Sequence, residues 1–199
     1  MSNTTRKSTL SVQYMTRIAI LGALASILFM IEIPIIAFYK LDLSTLPALL
    51  GAFSMGPLAG IAILAIKDVF GLLHSGTMYV GELADFIMGI AYILPAVLIY
   101  RCHKSRKNAL IGMVVGTAAM IVVAVLVNWL IMIPFYMTAF GMPMESIIGM
   151  AKATLPFVDT ELELLLFVTA PFNLLKGVVL SAVTYLIYKP LSPMLKVRK

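Results

Sequence analysis

The sequence predicts an all-α integral membrane protein with six transmembrane helices, and three observations carry that prediction. Of its 199 residues, 61% are hydrophobic and only 12% are charged. A water-soluble domain of this length cannot hide so much apolar surface, so lipid is the solvent. The apolar residues fall into six stretches joined by polar segments. The net charge of +6 is also patterned, since eleven of the fifteen Lys and Arg lie in three clusters. These are Arg6, Lys7 and Arg17; Arg101, Lys104, Arg106 and Lys107; and Lys189, Lys196, Arg198 and Lys199. None of the nine acidic residues falls among them. Basic clusters of this kind mark the cytoplasmic side of a membrane and argue against nucleic acid as a partner.

The elements follow in order. Residues 1–13 read as a polar cytoplasmic tail, 14–190 as one six-helix membrane domain, and 191–199 as a basic cytoplasmic tail. The first helix runs from Met15 to Ile33 and stops near Pro34. No small-residue cleavage site follows its basic start, so it reads as a retained helix rather than a signal peptide. An outer segment, Ala37–Ser44, carries Lys40 and Asp42. The second apolar stretch, Leu46–Met55, is shorter than the ~20 residues a straight span needs. It is therefore tilted, packed inside protein, or continuous with the loop. Gly56-Pro57 turns the chain into a third helix, Leu58–Leu73, with Lys67 and Asp68. The polar loop His74–Gly81 leads to a fourth, Glu82–Tyr100, which ends at the basic loop 101–107. The fifth spans Leu110–Tyr136, and an outer loop, Met137–Thr160, carries Glu145, Lys152 and Asp159. The sixth runs from Leu162 to Tyr188 and ends at Lys189-Pro190. Six passes put both termini and the central basic loop on one side, as the charge rule requires.

Ionisable and amide groups inside membrane helices are costly, so each is a functional candidate. Asn173 and Lys176 are three apart and share a helix face. Lys176 lies about 18 Å along the helix from Leu164, too deep to snorkel easily; the alternative to a ligand contact is a structural pair with Asp68 or Asp85. Asn128, beside Trp129, has donors and acceptors to satisfy in a dry setting, by a ligand or by another helix. Glu82 and Asp85 stand at a helix N-terminus, where the dipole alone can account for an acid. Gly81 leaves room beside Glu82 and favours function there. Together with Lys40–Ala48, these groups can line one outward pocket with apolar walls for a heterocyclic or hydroxylated ligand. On the first helix, Ala19 and Ala23, with Gly22 and Ser26 beside them, offer a small-residue face for another helix, inside the bundle or outside it.

Enzymatic motifs are missing. There is no phosphate-binding G-x-x-x-x-G-K-[ST], G-x-S-x-G, or H-E-x-x-H pattern. Cys102 beside His103 has no second Cys or His at ligand spacing, so no metal is expected. The neighbours His74 and Ser75 cannot take up catalytic geometry. Six helices without inverted halves make a poor secondary transporter. A ligand pocket without an engine implies a separate engine.

Several motifs carry a resemblance. Lys40-Leu41-Asp42-Leu43-Ser44 followed by Leu46-Pro47-Ala48-Leu49-Leu50-Gly51 resembles the first outer loop and second helix of the riboflavin-specific substrate-binding subunits of energy-coupling-factor (ECF) transporters, the RibU family. Gly56-Pro57-Leu58-Ala59-Gly60 with Lys67, Gly81-Glu82-Leu83-Ala84, Asn128 with Pro134-Phe135-Tyr136, and Pro171-Phe172-Asn173-Leu174-Leu175-Lys176-Gly177 fit in the same order. The resemblance covers about residues 15 to 190. It implies a six-helix protein of the bacterial cytoplasmic membrane with both termini inside. It also implies that the subunit is not an enzyme and has no cofactor, with riboflavin as transported ligand. The implied partners are the transmembrane coupling protein EcfT and two ABC-type ATPases, whose ATP hydrolysis topples the subunit in the bilayer. Ligand contacts map to Ser44, Thr45, Ala48, Glu82, Asn128, Asn173 and Lys176, and docking to Ala19 and Ala23. Asp68 and Asp85 stand where the family commonly has asparagine. An added carboxylate pairs with a lysine or weakens a ligand contact, so Asp85 is left out of the predicted site. Rival readings are a subunit for another vitamin (thiamin, biotin, folate or a queuosine precursor), a small membrane enzyme acting on lipid, or an ion channel or proton-coupled carrier using Lys67, Asp68 and Lys176 as a relay.

Overall fold

The computed structural model describes residues 12–36 and 39–195, with side chains to residue 187. Arg6, Lys7, Lys196, Arg198 and Lys199 of the basic clusters, the side chain of Lys189, most of the 1–13 tail and the Ala37 end of the outer segment lie outside the described residues.

The first helix, α1, is Val12–Phe29. It ends before the expected Ile33 because Ile33 precedes Pro34, whose ring disfavours helix in its neighbour, and isoleucines suit a strand. Ile33–Ile36 (β1) pairs antiparallel with Tyr39–Leu41 (β2), so part of the outer segment is a hairpin and the fold is not wholly helical. The next helix, α2, is Thr45–Met55, and Gly56 turns it into α3, Pro57–Gly71. The turn needs glycine: its φ is 112°, and a Cβ there would meet the Arg101 guanidinium at 2.7 Å. A 3-10 turn, Leu72–His74, ends α3, and α4 is Val80–Cys102. Ser105 caps α5, Arg106–Val127, by accepting from the Asn108 amide at 3.1 Å.

Beyond α5 the chain widens into a π segment, Asn128–Met132, and continues as α6, Ile133–Ala139. The loop expected over 137–160 contains a helix, α7, Met144–Lys152, which buries Ile147 and Ala151 against Val158, Leu164 and Val168. A Thr160–Glu163 capping box opens α8, Glu161–Leu164. A second π segment, Leu165–Thr169, leads into α9, Ala170–Leu195, which runs past the expected stop at Pro190. One proline removes one hydrogen bond, which a membrane helix tolerates. Both π segments centre four residues before a proline, Pro134 or Pro171. A proline ring clashes with the carbonyl four residues back, and a widened turn relieves that clash. Pro95 sits inside α4 without a π segment, so proline is not sufficient alone.

Among the described residues, five helical segments are long and apolar enough to cross a membrane: Val12–Phe29, Pro57–His74, Val80–Cys102, Arg106–Ala139 and Glu161–Ile187. The remaining predicted apolar stretch is α2, about 16 Å long at 11 residues. It is packed inside protein, with Leu46 through Phe53 all buried against α3 and α9. Burial is otherwise inverted relative to a soluble fold. Leu58, Val69 and Leu186 are exposed, whereas Lys67 is fully buried and Asp68, Glu82, Asn128, Asn173 and Lys176 nearly so. That pattern suits a lipid solvent.

Candidate functional site

A cavity of about 400 Å³ lies beside the hairpin, at the end of the bundle away from the basic loop. Asp85, on its wall, is about 24 Å along α4 from Arg101. Charge crosses its floor in a chain. The Lys176 ammonium on α9 donates to Asp42 Oδ2 at 3.1 Å and to Asp85 Oδ1 at 2.9 Å. Asp85 also accepts from Lys67 on α3. Asp68 lies 2.8 Å from Lys67, at an angle that makes no hydrogen bond. Asp42 accepts from the Ser44 hydroxyl and, at 2.8 Å, from the Ser44 amide, an Asx turn leading into α2. Three carboxylates thus face two ammoniums in a low-dielectric setting, where the attraction offsets the cost of desolvation.

Polar amides and the phenols of Tyr39 and Tyr136 also line the cavity. Tyr39, on β2, donates to Asn128 Oδ1 at 2.9 Å, shares a 2.6 Å hydrogen bond with the Thr169 hydroxyl, and stacks on Phe172 at 4.8 Å. Burial pushes the phenol above its ordinary pKa, so it stays protonated. Tyr39 therefore joins the two π segments, whose widened turns carry Asn128 and Thr169. Asn128 and Asn173 each give an amide hydrogen to the carbonyl four residues back, at 2.8 and 2.9 Å. The described residues offer the Asn173 side-chain oxygen no partner, and Asn173 lines the cavity.

Glu82 holds the loop before α4. Its Oε2 accepts from Ser75 at 2.8 Å and Thr77 at 3.2 Å. Met78 and Tyr79, at φ of 49° and 71°, make the tight bend that brings these hydroxyls round. The room expected beside Gly81 is taken by Thr77, whose hydroxyl accepts from the Gly81 amide at 3.0 Å.

A mixed cavity of this kind, at the end of an apolar bundle, can bind a small ligand with ring and hydroxyl functions. Residues 13–188 match the family described as ECF transporter, substrate-specific component. The chain belongs to the ECF substrate-specific components.

Relatives and structure agree. A riboflavin transporter, FmnP, of Bacillus subtilis strain 168 is 30% identical over 190 residues, 92% of this chain and 94% of that protein. A riboflavin transporter, RibU, of Staphylococcus aureus strain TCH60 is 31% identical over 182 residues, 90% of each chain. A solved structure described as the S component of a bacterial ECF transporter superposes with a TM-score of 0.72 at 30% identity, covering 93% of this chain and 98% of that one. These relatives are transporter components rather than enzymes.

The substrate-specific component brings together four of the seven predicted ligand residues. Glu82, Asn128, Asn173 and Lys176 line the one cavity. Ser44, Thr45 and Ala48 are buried and are not among its lining residues. Ala19 and Ala23 are exposed on α1, but Gly22 and Ser26 are not on their side. They face inward, Gly22 against Ile66 of α3. Of the polar residues that line the cavity outside the predicted ligand set, Tyr39 is not singled out by the sequence, Asp42 enters only within the Lys40–Ala48 segment, and Asp85 is a candidate left out of the predicted site. Two lysines deep in membrane helices need counter-ions, and that demand was the signal for Asp42 and Asp85.

Proposed function

We propose that this chain is the riboflavin-capturing subunit of an ATP-driven ECF vitamin uptake transporter in a bacterial cytoplasmic membrane. One observation carries the reading: Glu82, Asn128, Asn173 and Lys176, from three helices far apart in sequence, line one cavity. The relatives named as riboflavin transporters support the choice of ligand. The isoalloxazine ring lies against Phe172, Met88 and Met132, while its carbonyls and ring nitrogens and the ribityl hydroxyls engage the four polar side chains. Ser44, Thr45 and Ala48 act from behind, since Ser44 holds the Asp42 carboxylate that reaches Lys176. The bundle crosses the membrane six times with both termini cytoplasmic, α2 being the short buried pass. Coupling to EcfT and two ABC-type ATPases runs through the exposed Ala19 and Ala23 face of α1.

The test is an absorbance spectrum and riboflavin titration of the protein purified in detergent. Bound flavin or saturable quenching of flavin fluorescence is expected; a folded protein with neither would return the ligand to the other vitamins. Asn173→Ala should weaken binding about tenfold or more, because a buried ligand group loses its partner at ~1–3 kcal/mol. It is a cleaner probe than Lys176→Ala, which also strands Asp42 and Asp85. For docking, Ala19→Trp or Ala23→Trp should leave binding intact and abolish uptake and co-purification with the coupling proteins; normal uptake by both would remove that assignment.

A further inference from the structure

Among the described residues, four carboxylates and two ammoniums line the cavity beside the hairpin: Glu32, Asp42, Glu82 and Asp85 against Lys40 and Lys176. His74, exposed at its rim, is neutral at pH 7. We propose that this excess of carboxylate makes the site select flavins that carry no negative charge, and that Asp85 is the residue that sets the selection. The inference rests on the riboflavin reading and adds to it the charge that the ligand can carry.

Neither lysine on the lining has charge to spare. Lys40 lies 2.5 Å from Glu32. Lys176 donates to Asp42 at 3.1 Å and to Asp85 at 2.9 Å. An ammonium has three hydrogens, so one is left for a ligand. A carbonyl or hydroxyl oxygen suits that hydrogen. A phosphate does not, because the charge behind it is already matched by two carboxylates. Glu82 is met by the hydroxyls of Ser75 and Thr77 rather than by a cation, so its charge adds to the excess.

Asp85 decides the sign at the floor. Asp42 alone against Lys67 and Lys176 would leave one formal positive charge, which attracts a phosphate. Asp68 beside Lys67 cancels it, and Asp85 turns the balance negative. Asp85 bonds both lysines and lines the cavity, whereas Asp68 does neither. Like charges repel strongly where little water screens them. Riboflavin is uncharged, but a phosphate monoester carries about −1.5 to −2 at pH 7.

The test is a flavin-fluorescence titration of the full chain in detergent with three ligands. These are riboflavin, its 5′-phosphate, and riboflavin 5′-acetate, an uncharged ester of similar bulk. Wild type should bind riboflavin roughly a hundredfold more tightly than the phosphate, and the acetate within about tenfold of riboflavin. Asp85→Asn keeps the shape and an acceptor for Lys176. It should cut the riboflavin-to-phosphate ratio about tenfold or more, as one unit charge removed from about 8 Å of a phosphate does at an effective dielectric of about 20. Asp85→Glu keeps the charge and should keep the ratio. A merely structural role would weaken both flavins alike and leave the ratio unmoved. If Asp85→Asn fails to fold, Asp42→Asn takes its place, since asparagine preserves the Asx turn at Ser44 and should lower the ratio in the same direction. A wild-type ratio below about tenfold, an acetate rejected as strongly as the phosphate, or an unchanged ratio in a folded asparagine variant would overturn the inference and leave the riboflavin reading standing. Binding of none of the three would overturn both.

Discussion

Near its start α4 meets its neighbours through charge, and half-way along it meets them through missing side chains. Asp85 accepts from Lys67 of α3 and Lys176 of α9. Two to three turns further on, Gly116 and Gly112 of α5 sit directly against the backbone of Tyr92 and Ala96. Ion pairs can exchange partners when a ligand offers polar atoms, so the cavity end can rearrange. Backbone against glycine has no such alternative, because packed interiors are dense and do not deform smoothly. One helix thus serves as an anchor along its middle and as an adjustable wall near its start.

The largest test of that contrast is Gly116→Leu. A side chain there collides with the Tyr92 backbone, and overpacking against backbone costs more than ~3 kcal/mol, beyond the usual overpacking range. Thermal unfolding in detergent should show the fold lost or severely weakened; wild-type stability would mean the contact is not rigid. Asp85→Ala comes next in kind, at ~3 kcal/mol, since it leaves two buried ammoniums with one fewer counter-ion. Replacing Lys67, Asp68 and Asp85 together by Met, Asn and Leu should recover most of that loss, because Asp68 is then not left without its ammonium. A triple variant no better than Asp85→Ala would show that the cluster does more than neutralise. Tyr39→Phe removes a phenol from Asn128 and Thr169 and should cost about 1–2 kcal/mol in the same assay. Asp159→Asn breaks only the exposed pair with Lys152 and should move stability by less than about 0.5 kcal/mol; a larger loss would mean that the outer loop is braced by charge.

Helix positions were readable because lipid demands long apolar runs and isolates every polar group within them. That same isolation marks Glu82, Asn128, Asn173 and Lys176 in the sequence. Less legible was anything set by partners distant in sequence. The hairpin depends on Ile33 meeting Leu41, and α7 on Ile147 and Ala151 meeting Leu164 and Val168. Reading Gly81 as free space for a ligand failed because Thr77 folds back into it through a left-handed bend at Met78 and Tyr79. Asp85 was set aside on a departure from family pattern, although the buried lysines already required a carboxylate between them. The split of Gly22 and Ser26 from Ala19 and Ala23 reflects helix geometry: neighbours in sequence are about 100° apart around the axis.

The widened turn at Asn128–Met132 changes the rotational phase of everything after it. Asn128 and Tyr136 both line the cavity though they are eight residues apart. In an unbroken α-helix that spacing leaves them about 80° out of phase. One extra residue in a π turn shortens the effective count to seven and brings them within about 20°. Asn128 and Tyr136 can therefore belong to one surface only while the chain keeps that surplus residue, so its length here is a form of aiming.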